Sequence, residues 1–73
     1  MKEKVLEIIN KIRVAKGLEP LAELKVTDRL REDLGMTSFD LAELTVNLEE
    51  EYDIDIFEDG LVSTVGEIYA KLS

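Results

Sequence analysis

DLGMTSFDL, residues Asp33 to Leu41, joins an irregular segment to the most regular amphipathic run in the chain. Gly35 is a natural breaker, because glycine tolerates backbone angles that other residues avoid. Thr37 is a good helix N-cap: its side-chain oxygen can accept a free N–H of the first turn, worth about 1 kcal/mol. Asp40 stands three residues on, a short version of the Glu of a capping box, and its charge suits the positive end of a helix. With Thr37 as the cap, Ser38 becomes the first helical residue and its hydroxyl is free. With Ser38 as the cap, the hydroxyl would be tied to the backbone. Asp40 favours the first arrangement.

A free serine at a helix start admits several chemistries. Nucleophilic catalysis needs a base to take the proton. The chain has no His and no Cys, so neither a Ser-His nor a Cys-His arrangement exists within it, and no G-x-S-x-G elbow surrounds Ser38. A phosphoester fits the position better, since unpaired N–H groups and the positive dipole end both favour a phosphate. The plain reading, a serine that merely begins a helix, stands beside it.

Downstream, Leu41, Leu44, Leu48 and Tyr52 recur at three- and four-residue spacing and predict a helix from Ser38 to about Glu51. Phe39, Ala42, Glu43, Val46 and Glu50 fall on its other side. Acids around exposed apolar groups suit transient docking, with charge for steering and apolar area for affinity; an ordinary charged surface is the alternative. Upstream, Val5, Ile8, Ile9, Ile12 and Ala15 predict a first helix over Lys2–Lys16, stopped by Gly17. Between Gly17 and Thr37 no period holds. That stretch reads as a long loop pinned to the core by Leu21, Leu24, Val26, Leu30 and Leu34, with a single turn after Pro20. Lys25, Arg29 and Arg31 make it basic, free to pair with the acidic half.

YDIDI, Tyr52 to Ile56, alternates like a strand but has no partner strand, and reads as an extended connection with Ile54 and Ile56 plugging the core. Asp53, Asp55, Asp59 and Gly60 do not fit the calcium-loop spacing, so no dedicated metal site is expected. A short helix between Phe57 and Val62 is possible, weakened by Gly60. Thr64 and Glu67 form a capping box for a last helix carrying Val65, Ile68, Tyr69 and Leu72 on one face.

Seventy-three residues suit a single domain, 1–73, and 45% hydrophobic content is too high for a disordered chain. No apolar run is long enough to span a bilayer and no signal-peptide pattern opens the chain; a cytoplasmic protein without a membrane partner is expected. Residues 1–31 hold eight basic and five acidic groups, residues 32–73 one basic and twelve acidic. The second half therefore repels nucleic acid and attracts basic partners.

DLGMTSFDLAELTVNLEEEYDIDI, Asp33 to Ile56, resembles the central segment of acyl carrier proteins: an Asp-Leu-Gly lead-in, a serine opening the second helix, a Glu-Leu pair, an acidic cluster and an aromatic residue. The resemblance implies an all-α fold, a three- to four-helix bundle with a long loop between the first two helices. It implies a covalent 4′-phosphopantetheine arm, donated from coenzyme A, on Ser38. It implies a monomeric, non-catalytic carrier of fatty-acid or polyketide intermediates, held as thioesters. Its expected partners are a phosphopantetheinyl transferase and acyl-transferring and elongating enzymes with basic docking patches. Thr37, Phe39, Asp40, Glu43, Val46 and Glu50 become the expected partner-binding residues. The chain departs from the family at Thr37, where an acid is usual, at Phe39, often Leu, and in a short segment between Ile56 and Thr64. An aminoacyl or peptidyl carrier, and an acidic helical adaptor with no prosthetic group, are the alternative readings.

Overall fold

Val5, Ile8, Ile9 and Ile12 line one face of α1 (Lys2–Ala15), and all four are buried. They meet Leu41, Leu44 and Leu48 of α2 (Ser38–Tyr52) and Val65 and Ile68 of α3 (Val65–Leu72) in one core. The computed structural model describes residues 1–73, with three helices and no strand. Each fully buried Leu or Ile contributes about 1.5–3 kcal/mol relative to exposure, so these stripes supply the main drive for helix association.

The helix ends follow local chemistry. α1 stops at Ala15, with Lys16 as the cap and Gly17 at φ +84°, a conformation that glycine adopts without strain. Ala15 is exposed, so the buried stripe ends at Ile12. α2 runs one residue past Glu51 and ends on Asp53 at φ 59°, an angle that Asp accepts more readily than branched residues.

Residues 18–37 hold no helix, and no turn forms after Pro20. The segment is nevertheless firmly placed. The Asn10 side chain of α1 donates to the Leu21 carbonyl (2.9 Å) and accepts from the Leu21 N–H (2.7 Å). Leu30, Leu34 and Met36 enter the core, as do Ile56 and Val62 farther on; five of the fourteen core residues thus come from outside the helices. Val26, expected among the anchors, has its side chain 56% exposed. Its backbone does the anchoring: the Val26 carbonyl accepts from Gly66 N–H at 2.9 Å, and a Cβ at Gly66 would lie 3.0 Å from that oxygen. Asp28 accepts from Val65 N–H, and Leu30 N–H donates to Ser63. Arg29 and Thr64 form a single antiparallel bridge. The loop therefore satisfies the first free N–H groups of α3, which a helix cannot satisfy for itself.

A fourth helix does not form between Phe57 and Val62. Ile56–Asp59 are turns. The Asp55 carboxylate takes the Phe57 N–H (2.9 Å), and Gly60 sits at φ +137°. That bond is of the kind an N-cap makes, but the turns that follow close only i→i+3 bonds, Glu58 N–H to Asp55 and Gly60 N–H to Phe57, and Gly60 ends any continuation. Ile54 and Ile56, expected to plug the core together, part company: Ile56 is fully buried and Ile54 only half-buried.

That difference is measurable. Ile56→Ala should cost about 2–5 kcal/mol, as buried truncations do, and Ile54→Ala about 1 kcal/mol or less, in proportion to the smaller apolar area it loses. Urea denaturation of both variants checks the order.

Candidate functional site

Thr37 caps α2 with an extended backbone (φ −92°, ψ 175°). Its hydroxyl accepts from Asp40 N–H at 3.2 Å, and the Asp40 carboxylate accepts from Thr37 N–H at 2.9 Å. The reciprocal box expected from the sequence is thus complete. It leaves Ser38 as the first residue of the helix, exposed, with a side chain not spent on capping. The N–H groups of Ser38 and Phe39 have no acceptor within the protein. At α3 the equivalent two groups are taken by Asp28 and Val26. Of the two capped helix starts, only that of α2 is open.

The lead-in is held from α1. Arg13 Nη1 donates to the Leu34 carbonyl at 2.6 Å, and Lys16 Nζ to the Gly35 carbonyl at 2.8 Å. Lys16 also reaches Asp40 Oδ2 at 2.5 Å. Gly35 sits at φ +71°; a Cβ there would meet only ordinary contacts, so the backbone angle and not space requires glycine. Asp40 is 4% exposed. Burial pushes its carboxyl upward, but the hydrogen bonds from Lys16 and Thr37 outweigh this and hold it below the usual aspartate value. Asp40, expected on the partner-binding face, does not reach that face: it is buried, and its Oδ2 accepts from both Lys16 and Thr37.

The other expected residues are accessible to differing degrees. Phe39 is 77% exposed and Val46 57%; Thr37 and Glu50 are exposed and Glu43 half-buried. Phe39, Glu43, Val46 and Glu50 are spaced four, three and four residues apart, one line along the helix opposite Leu41, Leu44 and Leu48. Glu50 lies beside a groove that also holds Lys4 and Lys11 of α1, where Lys4 pairs with Glu7 and Glu51.

Three features escaped the reading of the sequence. Lys16 enters the sequence reading only as the end of the first helix, and Arg13 does not enter it. Arg31 looked like one basic loop residue among three, yet its Nη2 donates to Ser38 Oγ at 2.5 Å. Leu61, 90% exposed, stands at the rim of a cleft of about 200 Å³ lined by Leu30, Arg31, Leu41, Phe57 and Val62. Only Arg31 left a trace in the sequence: no basic residue follows it until Lys71.

Residues 4–72 match the family model described as phosphopantetheine attachment site. No solved structure matches the chain. No helix is long and apolar enough to cross a membrane.

Asp40→Asn keeps an acceptor for Thr37 N–H but removes the charge that Lys16 faces. A loss of about 1–3 kcal/mol at pH 7 is expected, the usual cost of a charge-assisted hydrogen bond. Because the folded-state carboxyl lies below its unfolded value, its contribution is complete above about pH 4 and fades as pH falls through the lower, folded value. The stability gap between the two proteins should therefore narrow in acid, as followed by urea denaturation at pH 7, 5 and 3.

Proposed function

The chain belongs to the phosphopantetheine-attachment family, whose domains carry 4′-phosphopantetheine covalently, and on that premise we propose that Ser38 is the residue that bears the arm. The observation that carries this reading is the open start of α2: an exposed serine hydroxyl not spent on capping, beside two N–H groups without acceptors. Ser63 lies where the N–H groups of α3 are already taken, and Ser73 bonds back to the Ala70 carbonyl. The residues at Ser38 fit a phosphodiester, which needs an exposed acceptor oxygen, backbone donors and a cation, here Arg31.

Loading is a phosphoryl-type transfer with a separate transferase. Ser38 Oγ forms the new bond to the phosphorus of coenzyme A, its proton passes to a base on the transferase, and adenosine 3′,5′-bisphosphate leaves. The arm, when attached, supplies a thiol that holds an acyl group as a thioester. Everything else falls to the chain: the Thr37–Asp40 box keeps Ser38 at the surface, and α2 presents it to partners. Domains of this family are carriers served by phosphopantetheinyl transferases and biosynthetic enzymes.

Within that role we favour a cytoplasmic, monomeric acyl carrier for fatty-acid or polyketide-type synthesis. The apolar lining of the cleft at Leu30, Leu41, Phe57 and Val62, one turn along α2 from Ser38, supports an acyl rather than an aminoacyl cargo. Phe39 and Val46 offer apolar area to a partner, with Glu43 and Glu50 between and beyond them, a pattern suited to enzymes with basic docking patches. Thr37 in place of an acid and Phe39 as a large exposed ring move recognition from charge toward apolar fit, worth up to about 3 kcal/mol if the ring is fully buried. This favours dedicated partner enzymes.

Incubation with coenzyme A and a broad transferase should add one arm, located at Ser38 by fragment mass spectrometry. Ser38→Ala should take up none while its circular dichroism stays unchanged; modification at Ser63 would refute the assignment. For docking, the Glu43→Lys/Glu50→Lys double variant should load more slowly at low salt, with the deficit shrinking by about 0.15 M, where the screening length is about 8 Å. Equal rates at low salt would reduce this face to ordinary solvated surface.

A further inference from the structure

From Glu32 to Ala70 the chain contains twelve acidic residues and no basic one. Coenzyme A, itself polyanionic, must approach Ser38 from within that field. Arg31 is the last cation before the run, and its position is not explained by pairing. Arg29, two residues earlier, is committed to Asp33 through Nε (3.3 Å), Nη2 (3.4 Å) and its backbone N–H (2.7 Å). Asp40 is taken by Lys16, and Glu32, which lines the same cleft as Arg31, makes no ion pair with it. Arg31 makes no ion pair; its side chain is exposed and its one hydrogen-bond partner is Ser38 Oγ, at 2.5 Å.

We infer that Arg31 is a phosphate-positioning residue, which draws the pyrophosphate of coenzyme A to Ser38 and then holds the phosphodiester formed there. The inference rests on Ser38 as the attachment residue. A guanidinium is a planar fork that matches two oxygens of a phosphate, and it stays protonated throughout the transfer. Before loading it donates to the serine hydroxyl. During loading the Oγ–P bond forms, the P–O bond to adenosine 3′,5′-bisphosphate breaks, and the serine proton goes to the base of the transferase. Oγ then becomes an ester oxygen and a weaker acceptor, while charged non-bridging oxygens now sit next to it. The same guanidinium moves its hydrogen bonds to those oxygens without leaving the site.

The test compares the full chain with Arg31→Ala, Arg31→Lys and, as a control for loss of a loop cation, Lys25→Ala. Loading kinetics are measured separately against coenzyme A and against the carrier, together with ³¹P spectra of the loaded proteins. For Arg31→Ala the KM for coenzyme A should rise about two- to fivefold, the range of an exposed charge contact. Its kcat and its own KM as carrier should hold. Arg31→Lys, which keeps the charge but not the fork, should recover only part of the loss, and Lys25→Ala should show none. The ³¹P resonance of the phosphodiester should shift in Arg31→Ala, and the Arg31 Nε–H resonance of the unsubstituted chain should shift on loading. A change confined to the KM of the carrier would make Arg31 a docking residue for the transferase and overturn the inference. So would kinetics and ³¹P spectra like those of Lys25→Ala, while loading at Ser38 would leave the carrier reading intact. Failure of the unsubstituted chain to load at Ser38 would remove both.

Discussion

The Asp40 carboxylate ties the end of α1 to the start of α2. It accepts from Thr37, which starts α2; from Lys16, which ends α1; and Lys16 in turn holds the Gly35 carbonyl. Burying a carboxylate costs several kcal/mol unless it is paired and hydrogen-bonded, so this group tolerates little misplacement. Its partners define where α2 begins. Because Thr37 and not Ser38 is drawn into the box, the serine hydroxyl remains at the surface.

The loop between α1 and α2 has a second task that follows from backbone accounting. A helix start exposes N–H groups that something must satisfy. At α3 the loop does this with the carbonyls of Asp28 and Val26, aided by Gly66, which lets the two backbones approach. At α2 nothing does it beyond the Thr37 cap. The fold thus closes one capped helix start and leaves the other open, and the open one holds the serine. The same loop sends Leu30, Leu34 and Met36 into the core, so the segment before Ser38 is anchored by buried side chains without being a helix.

The surface around Ser38 combines two opposing demands. The acids of residues 32–73 suit a basic partner, while a phosphate on Ser38, as proposed, would call for a cation. Arg31 places one cation against Ser38 Oγ and leaves the rest of that surface acidic. Phe39 and Val46, exposed on the line opposite the core, add apolar area where charge alone would give steering but little affinity.

The elements were legible in the sequence because they rest on local chemistry. The apolar stripes of α1, α2 and α3, the Thr37–Asp40 and Thr64–Glu67 boxes, the Gly17 stop and the exposed position of Ser38 all depend on residues within one or two turns of each other. The family followed from the same stretch, Asp33 to Ile56. Other features depend on residues far apart in the chain, and periodicity is silent on those. Lys16 lies 24 residues from Asp40, so nothing nearby marked Asp40 as buried rather than available to a partner. Ile54 and Ile56 alternate identically, and only the surrounding core decides that one is enclosed and the other half-exposed. Val26 reads as a core side chain, yet its carbonyl is the part that works, because Gly66 meets it from α3. Arg31 was visible as a charge, but its place beside Ser38 depends on how the turns over residues 30–34 lead into α2. Hydrogen-bond partners and burial are set by which segments meet, and that is decided only when the whole chain has packed.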